Sequence, residues 1–224
     1  MKNNNISAKK IIISETIKYN GVSLLTYRIE YPEFSSSQYR FPLFIVNRYY
    51  RAKALELQRY CEVELFKQML ELFRTEIEFN LPIRTFEVLS TYNTTFIDVC
   101  IISLYSDRYE YTGGAHGTTV RDSQTWNLQD TEMLNLNQLF GCSLDYKDYI
   151  YNKVIEQIQK EPSVYFEDYE RLVRETFNGD SFYCRPKGIV VYYQQYDIAP
   201  YVSGIREFLI PYNNCVINPK MLCL

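Results

Sequence analysis

Most nucleophilic and acid–base chemistry in proteins uses histidine, and this chain has a single one, His116. Ser-His-Asp or Cys-His catalysis would have to be built around it. The sequence contains no Gly-x-Ser-x-Gly elbow, no glycine-rich phosphate loop and no Cys-x-x-Cys pair. Hydrolysis by two carboxylates, for example Glu110 and Asp197, stays open. We therefore predict a protein that is not an enzyme, with no catalytic residue, no metal ligand and no cofactor.

Residues 111–117 read Tyr-Thr-Gly-Gly-Ala-His-Gly. Three glycines in five residues indicate positive φ angles or the close approach of another group. One interpretation is a backbone nest that a ligand or a partner's main chain approaches. The other is a tight structural crossing that His116 holds by hydrogen-bonding to backbone. The candidate binding residues here are Tyr111, Gly113, Gly114 and His116.

A second unusual string, at residues 196–201, reads Tyr-Asp-Ile-Ala-Pro-Tyr. Pro200 favours an extended conformation for the residue before it, and Asp197 is suited to capping nearby amides. Two tyrosines on either side of a proline also make a serviceable recognition surface. The candidate binding residues are Tyr196, Asp197 and Tyr201, and the structural interpretation stays open for this string too.

Charge and aromatic content limit the classes of partner. The chain has 24 basic and 27 acidic side chains, divided 14 to 13 over residues 1–110 and 10 to 14 over residues 111–224. A basic face of the kind that binds phosphate backbones is not indicated, so nucleic acid is not expected as a partner. Aromatic residues make up 16% of the chain and include 22 tyrosines, which suit either a recognition surface or half-buried strands.

The cysteines and the N-terminus bear on the compartment. The chain is large enough not to need a disulfide framework, so we expect reduced, mostly buried thiols. No stretch has the length of a signal-peptide core or a membrane span. The sequence as it stands predicts a cytoplasmic protein, and an extracytoplasmic one if the natural N-terminus is longer. The six cysteines are Cys61, Cys100, Cys142, Cys184, Cys215 and Cys223.

The pattern of apolar residues predicts an α+β fold. Asn20-Gly21 indicates a hairpin turn within residues 10–31. Apolar residues at steps of three and four predict one long helix over about 43–79, or two with a bend. Residues 84–127 favour three strands in an antiparallel meander. Helices over about 145–160 and 165–177 follow, and then the final strands at 181–184, 188–193 and 207–210.

These strings resemble a known family. Residues 111–117, Trp126-Asn127-Leu128, the Leu-x-x-Leu-Phe turn at 136–140, residues 196–201 with Gly204, and Ile210-Pro211-Tyr212 are similar to the DUF3298 domain. The order of elements before them, with Tyr31-Pro32 and then a helix containing Asn47, resembles its usual companion, DUF4163. The resemblance implies a DUF4163-like subdomain over 10–95, a DUF3298-like subdomain over 96–213 and a tail over 214–224. Antiparallel sheets would pack against one long helix in the N-terminal half and two shorter helices in the C-terminal half.

The resemblance also implies a function. Relatives with this pairing include the extracytoplasmic part of a lysozyme-sensing anti-sigma factor and a non-catalytic region of a peptidoglycan deacetylase. They imply a non-enzymatic binding module of the bacterial cell envelope, whose partner is a lysozyme-like protein or peptidoglycan. Two alternatives stay open: an intracellular structural protein that keeps only the fold, for example in a spore layer, and an uncharacterised peptidoglycan hydrolase or deacetylase. The oligomeric state is not predicted.

Overall fold

The computed structural model is an α+β protein and describes residues 6–142 and 145–223. The chain divides into two compact units. The first unit holds the residues up to Tyr92 together with Asp107–Thr119, and the second holds Asn93–Ser106 together with the chain from Val120 onward. The boundaries inferred from the family resemblance, after residues 95 and 213, stay predictions.

The first unit begins with the predicted hairpin. Strands β1 (Ser7–Tyr19) and β2 (Val22–Ser35) pair antiparallel, and the register shifts between Ile17 and Lys18. Asn20 and Gly21 have φ angles of 50° and 81°. Positive φ at both central positions matches the right-handed twist of the strands, which explains the choice of Asn-Gly.

A long helical segment then packs on β2. It runs through α1 (Arg40–Tyr60), a π-helical turn (Cys61–Leu65) and α2 (Phe66–Glu78) without a break in sequence. The segment agrees with the prediction of one long helix over about 43–79, or two with a bend. Its predicted apolar stripe is buried against the sheet, as the accessibilities of Leu43, Val46, Tyr50, Ala54, Cys61, Leu65 and Met69 show.

The sheet that begins with the hairpin has six strands in the order β1-β2-β3-β4-β5-β6. The three strands expected over residues 84–127 are present as β3 (Phe86–Asp98), β4 (Ile101–Tyr111) and β5 (Thr118–Asn127), followed by the short β6 (Glu132–Met133). One pairing departs from the expected antiparallel sheet: β2 and β3 run parallel. The long helix between them carries the chain back to the starting end, and a crossover of this kind permits parallel pairing.

The second unit contains the predicted C-terminal helices and strands. Helix α3 (Tyr146–Ile158) begins at Asp145, whose side chain accepts a hydrogen bond from the Lys147 amide, and α4 spans Tyr169–Glu175. Strands β7 (Phe182–Arg185), β8 (Gly188–Tyr193) and β9 (Arg206–Pro211) form an antiparallel three-stranded sheet, and every residue of β8 is buried. No helix in the described ranges combines the length and apolar character needed to cross a bilayer.

The cysteines correct the sequence-based expectation of reduced thiols. Cys100 is bonded to Cys223, and Cys142 to Cys215. Both pairs tie residues near the C-terminus to earlier parts of the second unit, where Val216 also bridges to Phe140. The expectation failed because pairing depends on which distant residues the fold brings together, and sequence spacings of 123 and 73 residues carry no such signal.

The remaining two thiols, Cys61 and Cys184, are free and buried, as expected. Burial raises the pKa of each thiol to about 12. A thiol with so high a pKa is protonated at neutral pH and is a poor nucleophile.

We predict that replacing Cys100 and Cys223 together by Ser lowers the free energy of unfolding by about 2–5 kcal/mol, because the loop that this disulfide closes is no longer constrained in the unfolded chain. Urea denaturation measures the loss. Alkylation in denaturant should label two of the six cysteines before reduction and all six after it. Labelling of all six cysteines in the unreduced protein would contradict the pairing.

Candidate partner-binding surfaces

The glycine-rich loop after β4 belongs to the first unit, and an ion pair with a buried carboxylate anchors it. The Glu76 carboxylate on α2 has no solvent exposure and accepts a hydrogen bond from Nε of Arg84 at 2.6 Å. Arg84 Nη1 donates to the carbonyl oxygen of Gly113 at 2.7 Å. A buried carboxylate is tolerated only when it is paired, so this link fixes the start of the loop.

Backbone conformation and packing explain why two of the three loop positions are glycine. Gly113 has a φ of 85° and lies against the Arg84 side chain. A Cβ at Gly117 would overlap the ring of Tyr109, whereas one at Gly114 would meet only a carbonyl oxygen at 3.8 Å. The structural interpretation of the loop therefore accounts for Gly113 and Gly117.

The middle of the loop is exposed. Gly114, Ala115 and His116 lie at the surface, and Nδ1 of His116 is 3.2 Å from the carbonyl oxygen of Gly117. This contact requires the ring proton on Nδ1 and leaves the imidazole bonded to its own loop. Tyr111, at the end of β4, is half-buried.

We predict that Gly117→Ala lowers the free energy of unfolding by about 1–3 kcal/mol, because the Tyr109 ring must move to admit the methyl group. The matched change Gly114→Ala should stay within about 0.5 kcal/mol of the original protein. Urea denaturation of the two variants separates them. Equal losses would show that the Tyr109 ring yields without cost.

The second string belongs to the second unit, where it forms a surface loop over residues 196–202 that we call the tyrosine loop. The side-chain amide of Gln194, just before the loop, forms two hydrogen bonds with the backbone of Arg121 in β5. Its Oε1 accepts a hydrogen bond from the Arg121 amide at 3.0 Å, and its Nε2 donates to the Arg121 carbonyl at 2.7 Å. The Asp197 carboxylate accepts from the Gln194 amide at 2.7 Å.

Asp197 therefore has a structural role within its own turn. Burial raises the pKa of its carboxyl above the ordinary value, and the hydrogen bond from the Gln194 amide offsets part of that rise. The Asp197 carboxylate accepts a backbone hydrogen bond, and its role in partner binding stays a prediction.

The rest of the tyrosine loop is fixed by two buried residues and by hydrogen bonds to residues 164 and 166. Ile198 and Ala199 are almost completely buried, and the Ile198 carbonyl accepts a hydrogen bond from the Phe166 amide at 3.1 Å. Ser203 Oγ donates to the Val164 carbonyl at 3.1 Å. The loop thus has a fixed course between two anchored ends.

What the tyrosine loop presents to solvent is apolar and aromatic. Tyr196 is 54% exposed and Val202 90% exposed, and the ring of Tyr196 lies 5.8 Å from that of Tyr201. Tyr196 also has a φ of 70°, a left-handed conformation that L-residues other than glycine seldom adopt. Strain of this kind is often found where a side chain must be presented for binding.

An acidic segment runs beside this loop. Residues 161–170 contain four carboxylates and no lysine or arginine, and Val164 and Phe166 of this segment make the hydrogen bonds to the loop described above. Glu161 and Glu167 are exposed, and Asp168 is paired with Arg171. The surface therefore combines tyrosine rings with negative charge.

The sequence did not reveal two of these features. The acidic residues of 161–170 are visible in the sequence, but only the Val164 and Phe166 hydrogen bonds show that this segment lies beside the loop. In the first unit, four large apolar residues at the end of α2 and just after it are exposed by 40–65%: Ile77, Phe79, Leu81 and Ile83. Of the predicted binding residues, Tyr111, Gly113, Gly114 and His116 lie in the first unit, and Tyr196, Asp197 and Tyr201 in the second.

Metal-ligating side chains are not clustered in the described part of the chain. Within residues 6–142 and 145–223, no group of three or more His, Cys, Asp or Glu side chains is arranged to hold a metal ion.

Residues 137–213, which include β7–β9 and the tyrosine loop, match the family model described as "Protein of unknown function (DUF3298)". A DUF3298 domain is thus detected over residues 137–213. Residues 20–119 match the model described as "Deacetylase PdaC", in the region where the DUF4163-like companion was expected. The recognition made from the sequence motifs is confirmed. Among curated proteins, none matches the chain.

Two solved structures share the fold. A DUF3298 family member from Bacteroides fragilis is 22% identical with a TM-score of 0.70, over 97% of this chain and 96% of that chain. A DUF3298 family protein from Pseudomonas aeruginosa PAO1 is 13% identical with a TM-score of 0.63, over 98% and 97%. At such identities the likeness establishes the α+β fold alone.

We predict that Tyr196→Gly is more stable than Tyr196→Ala by about 1 kcal/mol, because both changes remove the ring and only glycine relieves the positive φ. Thermal or urea unfolding of the two variants gives the difference. The same pair of changes at Tyr201, which lies in a helical turn, should favour alanine. An alanine variant at 196 as stable as the glycine variant would show that the loop relaxes freely.

Proposed function

We propose that this chain is a non-enzymatic binding module whose tyrosine loop recognises the basic surface of a protein, with a lysozyme as the candidate partner. The observation that carries the proposal is the exposed Tyr196 and Val202 together with the half-buried Tyr201, on a loop whose course is fixed by buried residues and hydrogen bonds. The DUF3298 domain containing this loop gives the proposal its family context.

A rigid tyrosine surface suits protein recognition. Tyrosine offers a large contact area with few rotatable bonds, so little conformational entropy is lost on binding. The buried Ile198 and the Gln194–Arg121 pairing hold the loop before any partner arrives. Preorganisation of this kind raises affinity without requiring additional contacts.

Charge supports the choice of a basic partner. The second unit carries 10 basic and 15 acidic side chains, a net charge of −5. Four of its carboxylates lie in the acidic segment beside the loop. Such a surface attracts a basic protein before contact and disfavours an acidic one.

The disulfides support an extracytoplasmic location. Two disulfides persist in oxidising environments, and reducing compartments keep most such thiols free. Lysozymes and peptidoglycan are both encountered outside the cytoplasm, so this location is consistent with a cell-envelope role.

Two features support a non-enzymatic role. The free thiols of Cys61 and Cys184 are buried and have raised pKa values, which makes them poor nucleophiles. The imidazole of His116 contacts a carbonyl group of its own loop through Nδ1.

We predict that the full chain binds hen egg-white lysozyme, a basic protein, and that Tyr196→Ala weakens binding about tenfold or more, as truncation of a central interface tyrosine does. Glu167→Gln should weaken it by a smaller factor, with a reduced dependence on salt. Isothermal titration calorimetry at low and high NaCl concentration gives both quantities.

The matched controls are Tyr19→Ala in the first unit, where the ring is 37% exposed, and Glu132→Gln in β6. Both should leave the affinity unchanged. Absence of lysozyme binding, or equal losses in test and control variants, would overturn the proposal. Sedimentation with insoluble peptidoglycan that depends on Tyr196 would overturn the choice of a protein partner in favour of a glycan.

A further inference from the structure

Strand β1 leaves one edge of the six-stranded sheet open. It is the first strand in the sheet order and pairs with β2 on one side. Along the other side, no strand of the described residues covers its main-chain N–H and C=O groups. Proteins usually protect such edges with proline, short strands or charges. β1 has 13 residues and contains no proline, and its charged residues are Lys9, Lys10, Glu15 and Lys18.

The regular part of β1 is symmetric about one residue. The bulge between Ile17 and Lys18 ends the regular run that begins at Ser7, and Ile12 lies at its centre. A second copy can therefore pair antiparallel with the full regular run through a two-fold axis at Ile12. Homodimers with one self-complementary patch are the commonest oligomers.

In this register, β1 side chains on the helix-covered face would lie opposite compatible side chains of the second copy. Ile13 packs against the core of the first unit, and Ile11, two residues away, projects to the same face. Both are half-buried, and Ile11 would lie opposite Ile13 of the second copy on each side of the axis. Lys9 would lie opposite Glu15 of the second copy at both ends, so an apolar centre is closed by two opposite-charge pairs.

The opposite face agrees with this register. Ile12 is 43% exposed, and it would meet Ile12 of the second copy on the axis. Neighbouring registers fit less well. Centring on Ile13 sets Ile11 against Glu15, and centring on Ser14 sets Lys10 against Lys18.

We propose that β1 is a homodimerisation edge, through which two copies of the chain form one continuous sheet about a two-fold axis at Ile12. The proposal does not depend on the tyrosine loop, which belongs to the second unit. A single pair of strands is a small interface, so the dimer should form at high concentration and dissociate on dilution.

Light scattering coupled to size-exclusion chromatography tests the proposal on the full chain, from about 5 µM to about 500 µM. The measured mass should rise from 26.7 kDa toward twice that value. Ile12→Lys should abolish the rise, because two like charges would meet on the axis. The matched control Leu55→Lys, at a 46% exposed position of α1, should leave it unchanged. A constant monomer mass, or equal behaviour of the two variants, overturns the proposal.

Charge reversal and cross-linking test the register itself. Lys9→Glu should weaken the dimer, and combining it with Glu15→Lys should restore it, because both pairs are then reversed. Ile12→Cys should form a covalent dimer on mild oxidation, since directly opposite residues have a Cα separation within the range of a disulfide. Failure of the double reversal to restore the dimer, or of Ile12→Cys to cross-link above the level of Leu55→Cys, overturns the register.

Discussion

The arrangement of the second unit depends on how Arg121 is buried. A guanidinium out of water is destabilising unless its charge and hydrogen bonds are satisfied. Arg121 is 9% exposed, forms an ion pair with Glu207 and lies 3.7 Å from the ring centre of Tyr105. The same residue offers both main-chain groups to Gln194. One buried cation thus links β5, β9 and the start of the tyrosine loop.

This dependence explains why the tyrosine loop can be both exposed and fixed. An exposed aromatic loop without support would be disordered before binding, and the cost of ordering it would reduce its affinity. Here the Gln194 pairing, the Asp197 turn and the buried Ile198 set its course. The unfavourable φ of Tyr196 is maintained by these neighbours, as expected when a conformation is over-determined by its surroundings.

The two glycine- and tyrosine-containing strings have different physical roles. In the first unit, Gly113 and Gly117 make room for Arg84 and Tyr109, and the buried Glu76 holds the arrangement together. In the second unit, Tyr196 is exposed while Ile198 and Ala199 are buried. Of the two strings, one therefore has its unusual residues for packing reasons, and the other places an unusual residue at the surface.

The sequence by itself determined those secondary-structure elements that depend on interactions between residues close together in the chain. Asn20-Gly21 specified the hairpin turn, and the apolar stripe from Leu43 to Met69 specified the long helix. Only the tertiary structure decided the parallel pairing of β2 with β3, the partners of the four bonded cysteines and the positive φ of Tyr196. These features depend on contacts between residues far apart in the chain, and neither periodicity nor spacing encodes which distant residues meet.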